Sequence, residues 1–215
     1  MNQRKNVSKA TITRLPQYLR FLKERQSKGE INVSSTAVAE GLNLNAVQVR
    51  KDLALVSSVA GKPKLGFIIA ELIDDINKFL GYDNTTDAVI VGVGGLGSAL
   101  LGYGGFKNYG LNIVMAFDSN PALFGKEING VEVFNFQDAV EKVNKTSVKI
   151  GIICVPKACA QEVADKLIEG GVRAIWNFAP THLNLPENIA VKNEDMASSL
   201  AILSKRLEQI LYSEE

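Results

Sequence analysis

The 215-residue chain is 46% hydrophobic and 22% charged, close to the averages of globular proteins, which excludes a disordered or fibrous chain and allows one medium or two small domains. No apolar run reaches the roughly 18 to 20 residues that span a bilayer, and the basic start Met1 to Ala10 lacks the apolar core of an export signal. Cys154 and Cys159 cannot form a disulfide framework, and one histidine, His182, leaves structural zinc without ligands, so a soluble cytoplasmic protein without metal is expected.

The net charge of +1 conceals a division: residues 1–64 carry 12 Lys and Arg against 4 Asp and Glu, residues 65–215 carry 12 against 19. A basic head on an acidic body suits a nucleic-acid-binding domain joined to a domain of another kind; a merely solvated basic surface is the alternative.

From Pro16 to Lys28, Tyr18, Leu19 and Leu22 recur at helical spacing before Gly29. A short extended lead-in, Ile31 to Val33, precedes a second helix capped by Ser34 or Ser35 and ended at Gly41. Asn45 caps a third helix, with Gln48 placed for a capping box. Helix, glycine turn and helix in this span predict a helix-turn-helix, against an ordinary three-helix bundle.

On the third helix Ala46, Val49, Leu53 and Val56 face inward, whereas Val47, Gln48 and Lys51 face outward with Arg50 on the flank. Gln48 suits adenine, Lys51 guanine or phosphate, Val47 a thymine methyl, and Arg50 a backbone phosphate. Ser57 to Gly66 reads as a basic wing carrying Lys62 and Lys64. With the helix-start residues Ser34, Ser35 and Asn45 these form the candidate DNA-binding set. Phe67 to Leu80 reads as a helix stopped at Gly81, and the polar stretch Tyr82 to Asp87 as a domain boundary.

Beyond it, strands at 88–91, 112–117, 148–155, 174–177 and 189–191 alternate with helices at 95–107, 137–143 and 158–170, which predicts an α/β doubly wound parallel sheet. Directly after the first strand stands Gly92-Val93-Gly94-Gly95-Leu96-Gly97, a dinucleotide-binding turn: Gly92 for the turn, Gly94 for close approach of a pyrophosphate, Gly97 for helix–strand packing. Asp118, 21 residues after Gly97, is spaced to meet the adenosine ribose, favouring NAD over NADP, with a flavin less suited to so small a domain. No catalytic acid or base is evident: His182 reads as an ordinary loop histidine and Cys159 as an unactivated thiol. The last helix, Met196 to Leu211, carries Leu200, Leu203, Leu207 and Leu211 as a stripe that requires a partner surface.

These residues resemble the Rex redox-sensing transcriptional repressors of bacteria. The match runs through Thr11-Ile-Thr-Arg-Leu-Pro-Gln-Tyr18, Ser34-Ser35, Gln48-Val-Arg-Lys-Asp-Leu53, Gly92 to Gly97 with Ser98-Ala-Leu and Tyr103, Val155-Pro156 with Ala160-Gln161, Asn177-Phe-Ala-Pro180 and Asn193-Glu-Asp-Met196. The resemblance implies a homodimer of chains divided into a winged helix (1–82), an NAD(H)-binding Rossmann domain (83–194) and a domain-swapped C-terminal helix (195–215). It further implies that NADH releases the dimer from an inverted-repeat DNA operator while NAD+ competes without releasing it.

Arg14, Arg50 and Lys51 match the family's DNA contacts, the glycine turn and Asp118 its nucleotide site, and Tyr103 and Asp195 a pair that joins across the dimer. Asn177 falls within the matched motifs and is expected at the cofactor, where Val155, Pro156 and Phe178 would form an apolar pocket favouring the neutral nicotinamide of NADH. The segment after Leu53, from Ala54 to Ala60, departs from the family pattern, as does the wing Gly61 to Phe67. Two rival readings are a small NAD-dependent oxidoreductase with a basic appendage and a repressor answering to another nucleotide.

Overall fold

Ser8 starts the first helix, α1 (Lys9–Ser27), its Oγ accepting from Thr11 N at 3.1 Å in a computed structural model that describes residues 7–62, 65–84 and 86–212. The helix thus begins well before Pro16, the expected start. Pro16 cannot donate to the Ile12 carbonyl, yet buried Leu15, Tyr18, Leu19 and Leu22 anchor both sides of it on one core.

Helix α2 (Ser35–Leu42) is capped by Ser34, whose Oγ accepts from Ala37 N. Asn43, at φ 52°, makes the turn expected of Gly41. Gly41 instead lies within α2, where a Cβ would stand 2.2 Å from the Phe21 ring; its bareness serves packing. Asn45 caps α3 (Ala46–Val56) through Oδ1, which accepts from Val47 N and Gln48 N. Gln48 does not complete a capping box, because its Nε2 donates to Asp52 Oδ1 at 3.0 Å instead.

Phe67 and Ile68, expected to begin a helix, form strand β2 (Phe67–Ile68) against β1 (Asn32–Val33); α4 (Ile69–Leu80) follows and ends at Gly81. Reciprocal backbone bonds of 2.7 and 2.8 Å between Lys62 and Gly66 close the wing hairpin. Pro63 and Lys64 lie outside the described residues. One core of α1 to α4 side chains, including Leu22, Val38, Val49, Leu53, Leu72 and Ile76, holds this head together.

The chain divides into two compact units after Asn84. The second contains β3 (Thr86–Val91), α5 (Gly95–Leu101), β4 (Leu111–Asp118), β5 (Glu127–Ile128), β6 (Val131–Asn135), α6 (Ala139–Asn144), β7 (Ile150–Ile153), α7 (Ala160–Glu169), β8 (Ala174–Asn177), β9 (Ala190–Asn193) and α8 (Met196–Tyr212). The sheet order is β5-β6-β4-β3-β7-β8-β9, parallel except for β5 against β6. Six of these strands reproduce the 3-2-1-4-5-6 order of a doubly wound nucleotide fold, whose order reverses beside β3.

Val89, Val91, Ile153 and Ile175 share one apolar layer with residues of α6 and α7, while Ala88, Ile90, Ile152 and Trp176 share the other with residues of α5. The period-2 alternation of strand side chains produces this division. The helix expected over 95–107 ends at Leu101, and a 3-10 turn covers Gly104–Tyr109. Strands β5 and β6 were not foreseen from the sequence, although Asn129-Gly130, at φ 53° and 81°, is a strong hairpin signal between them. Along α8, Leu200, Leu203, Leu207 and Leu211 are all more than half exposed.

Candidate functional site

At the end of β3 the chain turns through Gly92, at φ 90°, where a Cβ would stand 2.6 Å from Cys154 O; at Gly97 it would stand 1.9 Å from Gly92 O. These two glycines are required by the fold. Gly94 differs: a Cβ there meets nothing within 4 Å, so its bareness leaves an uncovered backbone rather than relieving crowding. Asp118, the last residue of β4, accepts from Val93 N at 2.7 Å through Oδ2 and from Asn120 N at 2.8 Å through Oδ1. This fixes the carboxylate beside the glycine turn. Val93 itself is buried and its N–H is committed to Asp118, whereas Gly95 and Leu96 are exposed on the first turn of α5.

A cavity of about 360 Å³ opens beyond the C-terminal ends of β3, β4 and β7, lined by Gly92, Gly94, Asp118, Val155 and Pro156. Ser119, Gln137, Cys159 and Glu162 also line it. Ser119, Gln137 and Glu162 carry no signal in the sequence because they belong to separate segments that only the sheet brings together. The groups fit a dinucleotide: bare backbone at Gly94 for a pyrophosphate, a fixed carboxylate for ribose hydroxyls, and apolar Val155 and Pro156 for a ring. Cys154 borders the same cavity, and burial pushes its thiol up to about 12, which leaves it protonated at neutral pH.

Asn177 and Phe178, both expected at the cofactor, stand outside the lining of this cavity. Asn177 is fully buried and does not line the cavity: its Nδ2 donates to Thr181 O and Asn193 Oδ1, and its Oδ1 accepts from Ala179 N. These bonds pin the loop after β8. Phe178 lies in the other apolar layer, its ring 4.9 Å from that of Trp176, so it does not share a wall with Val155 and Pro156. Strand alternation past β8 places it there.

In the first unit Val47, Gln48, Arg50 and Lys51 are exposed on α3 and Val49 and Leu53 are buried. Ser34, Ser35, Arg50 and Lys62 border one groove of about 560 Å³ between the start of α2, α3 and the wing, joined by Thr36 and Ser57. A concave surface of hydroxyls and cations suits a phosphate backbone. Asn45 spends its Oδ1 on the cap of α3.

Arg14 is not a free cation. Its Nε and Nη2 bond Asp52 at 2.7 and 3.1 Å, and its side chain is 20% exposed. Asp52, buried on α3, also accepts from Tyr18 Oη at 2.8 Å and Thr11 Oγ1 at 3.1 Å. Its place next to inward-facing Leu53 and four residues after Gln48 is the one signal of this role in the sequence.

Desolvation pushes the Asp52 carboxyl up, but hydrogen bonds from Arg14, Tyr18, Gln48 and Thr11 outweigh it and hold the group below the usual carboxylate range. Burial, then the bond to Asp52, pushes the Tyr18 hydroxyl up to about 12. A depressed carboxylate stabilises the fold above its unfolded pKa, and this stabilisation is lost as pH falls through the folded value. A raised phenol contributes below its unfolded value near 10 and is lost as pH rises toward 12. The head should therefore weaken below about pH 4 and above about pH 10. Denaturant midpoints followed by far-UV circular dichroism should show a plateau between these limits, and the acid-side loss should shrink in Asp52→Asn.

In the second unit Tyr103 is exposed and packs edge-on to Phe106. Asp195 caps α8, its Oδ1 accepting from Ser198 N at 3.0 Å, and the Ser198 bonds hold its carboxyl below the usual range. Among the described residues no hydrogen bond joins Tyr103 to Asp195 within the chain.

Residues 6–54 match the family model described as "putative DNA-binding protein N-terminus", and residues 83–181 match the one described as "CoA binding domain". A redox-sensing transcriptional repressor Rex of Bacteroides fragilis is 40% identical over 94% of this chain and 91% of its own. That of Carboxydothermus hydrogenoformans is 43% identical over 92% and 95%. The chain belongs to the Rex family. Among solved structures, RSP, a Rex-family repressor crystallised with β-NAD+ and operator DNA, is 36% identical and superposes with a TM-score of 0.89 over 98% of this chain and 97% of that one. RSP crystallised with β-NADH superposes at 0.86. The two functional regions identified above are thus held in the family's order, DNA-binding head first and nucleotide fold second.

Proposed function

We propose that this Rex-family chain represses transcription by gripping an inverted-repeat operator with α3, the start of α2 and the wing, and leaves it when NADH fills the cavity at Gly94 and Asp118. The observation that carries this reading is that one chain pairs an outward-facing Val47, Gln48, Arg50 and Lys51 with a Gly94 surface that nothing in the protein covers. RSP has been crystallised with NAD+ and operator DNA, and with NADH, which supports NAD+ and NADH as the two ligands here. The exposed leucines of α8 supply the apolar surface of a homodimer, and Tyr103 and Asp195 join across it in the NADH-bound form.

The protein works by binding alone. NADH must prefer the arrangement that cannot hold DNA, and by linkage DNA must weaken NADH to the same extent. No group need exchange a proton or hydride with the cofactor, and the protein acts in the cytoplasm, where operator and cofactor meet. Among the described residues no helix is long and apolar enough to cross a membrane.

Fluorescence anisotropy of an operator duplex at fixed salt, titrated with NADH against constant NAD+, tests this reading. Release by NADH and not by NAD+ is expected; indifference to both would overturn it. The fixed carboxylate of Asp118 should also exclude a 2′-phosphate. Asp118→Ser is expected to move the NADPH-to-NADH affinity ratio upward by about tenfold, or roughly 1.4 kcal/mol, in nicotinamide fluorescence titrations.

A further inference from the structure

Two of the head side chains with candidate roles at DNA, Arg14 and Gln48, converge on one buried carboxylate. Asp52 Oδ1 accepts from Gln48 Nε2 at 3.0 Å and from Arg14 Nη2 at 3.1 Å, while Oδ2 accepts from Arg14 Nε at 2.7 Å and from Tyr18 Oη at 2.8 Å. Asp52 is 2% exposed, whereas Gln48 is exposed. A carboxylate only accepts, so the Gln48 amide has one permitted sense: the flipped amide would set Oε1 against Asp52 oxygens with no hydrogen between them. Oε1 and the second Nε2 hydrogen remain for a partner outside, and an acceptor beside a donor is the edge complementary to adenine N6 and N7.

We propose that Asp52 is a positioning residue for sequence reading: it locks the Gln48 amide in the adenine-reading sense and holds Arg14 against α3, without touching DNA itself. The inference rests on the operator-binding reading given above and adds the base class that Gln48 selects and the group that enforces the choice. Tyr18 and Thr11 complete the carboxylate's bonds from α1, so the lock also ties the reading helix to the helix behind it.

The full-length protein is tested by anisotropy against an operator duplex, a panel in which each half-site A·T pair is replaced in turn by G·C, and a random duplex. Wild type should prefer the operator to the random duplex; if it does not, the operator-binding reading fails before Asp52 is in question. Asp52→Asn keeps the shape but can donate, so it admits both amide senses. It should lose at least about fivefold in discrimination at one A·T position, the same position lost in Gln48→Met, and the double variant should lose no more.

Tyr18→Phe removes one Asp52 bond while leaving Gln48 and Arg14 held, and it should keep full discrimination. Equal weakening of all duplexes by Asp52→Asn, or loss of discrimination in Tyr18→Phe as well, would reduce Asp52 to a structural role and overturn the proposal. A second measurement needs no folded Asp52 variant. In wild type the Gln48 side-chain amide, assigned by its absence in Gln48→Met, should exchange hydrogen more slowly than other exposed glutamine amides, and equal rates would also overturn the proposal.

Discussion

Gly94→Val is expected to abolish NADH binding while leaving the protein folded and on its operator. A Cβ at this position meets nothing within 4 Å, and the backbone, at φ −69°, is one that any L-residue adopts. Because Gly94 is the N-cap of α5, where Val is a poorer cap than Gly, the substitution should cost about 1 kcal/mol and leave the fold intact. What it fills is the space over the turn into which a pyrophosphate must come. Displacing that group by the width of a branched side chain should weaken NADH at least about 100-fold, or roughly 2.7 kcal/mol.

The product is a repressor deaf to NADH: anisotropy of the operator complex should stay high through an NADH titration that releases wild type. Gly97→Ala provides the contrast, because its Cβ would stand 1.9 Å from Gly92 O. It should lower stability by about 1 to 3 kcal/mol through overpacking, and cofactor affinity with it. Retained NADH binding by a folded Gly94→Val protein would mean that the cofactor does not cross this turn.

Reversing charge on the groove, in Arg50→Glu with Lys62→Glu, should cost at least about 100-fold in affinity for every duplex, whether operator or random, because phosphate contacts carry no sequence information. Both side chains border the groove between the start of α2, α3 and the wing, and both are exposed, so the fold should survive. The milder Arg50→Ala should flatten the slope of log affinity against log salt by about 0.9, the loss of one phosphate neutralisation. A salt slope unchanged in Arg50→Ala would place the residue off the backbone. Gln48→Met supplies the opposite pattern, a loss of discrimination at an unchanged slope, so the two kinds of contact separate in one set of titrations.

The alternation of apolar and polar residues determined much of this protein before any tertiary contact. Its helical periods carry α2 to α4, the strand–helix alternation carries the parallel sheet, and Gly92, Gly94, Gly97 and Asp118 announce the nucleotide turn, because each has a local physical requirement. Local signals also mark the outward face of α3, where Val47, Gln48 and Lys51 lie opposite Val49 and Leu53.

The rest depended on neighbours remote in the chain. Gly41 looks like a helix stop until Phe21 of α1 explains its missing side chain. Asn177 reads as an ordinary strand-end amide until Asn193 and Thr181 take up its hydrogens. Phe178 sits beside Trp176 in one apolar layer and Val155 packs against the other, a division that the assembled sheet makes plain. Asp52 is one charge among several in its helix until α1 brings Thr11, Arg14 and Tyr18 to it. A buried polar group must find its partners wherever the fold supplies them, and those partners stand at sequence separations that no local pattern records.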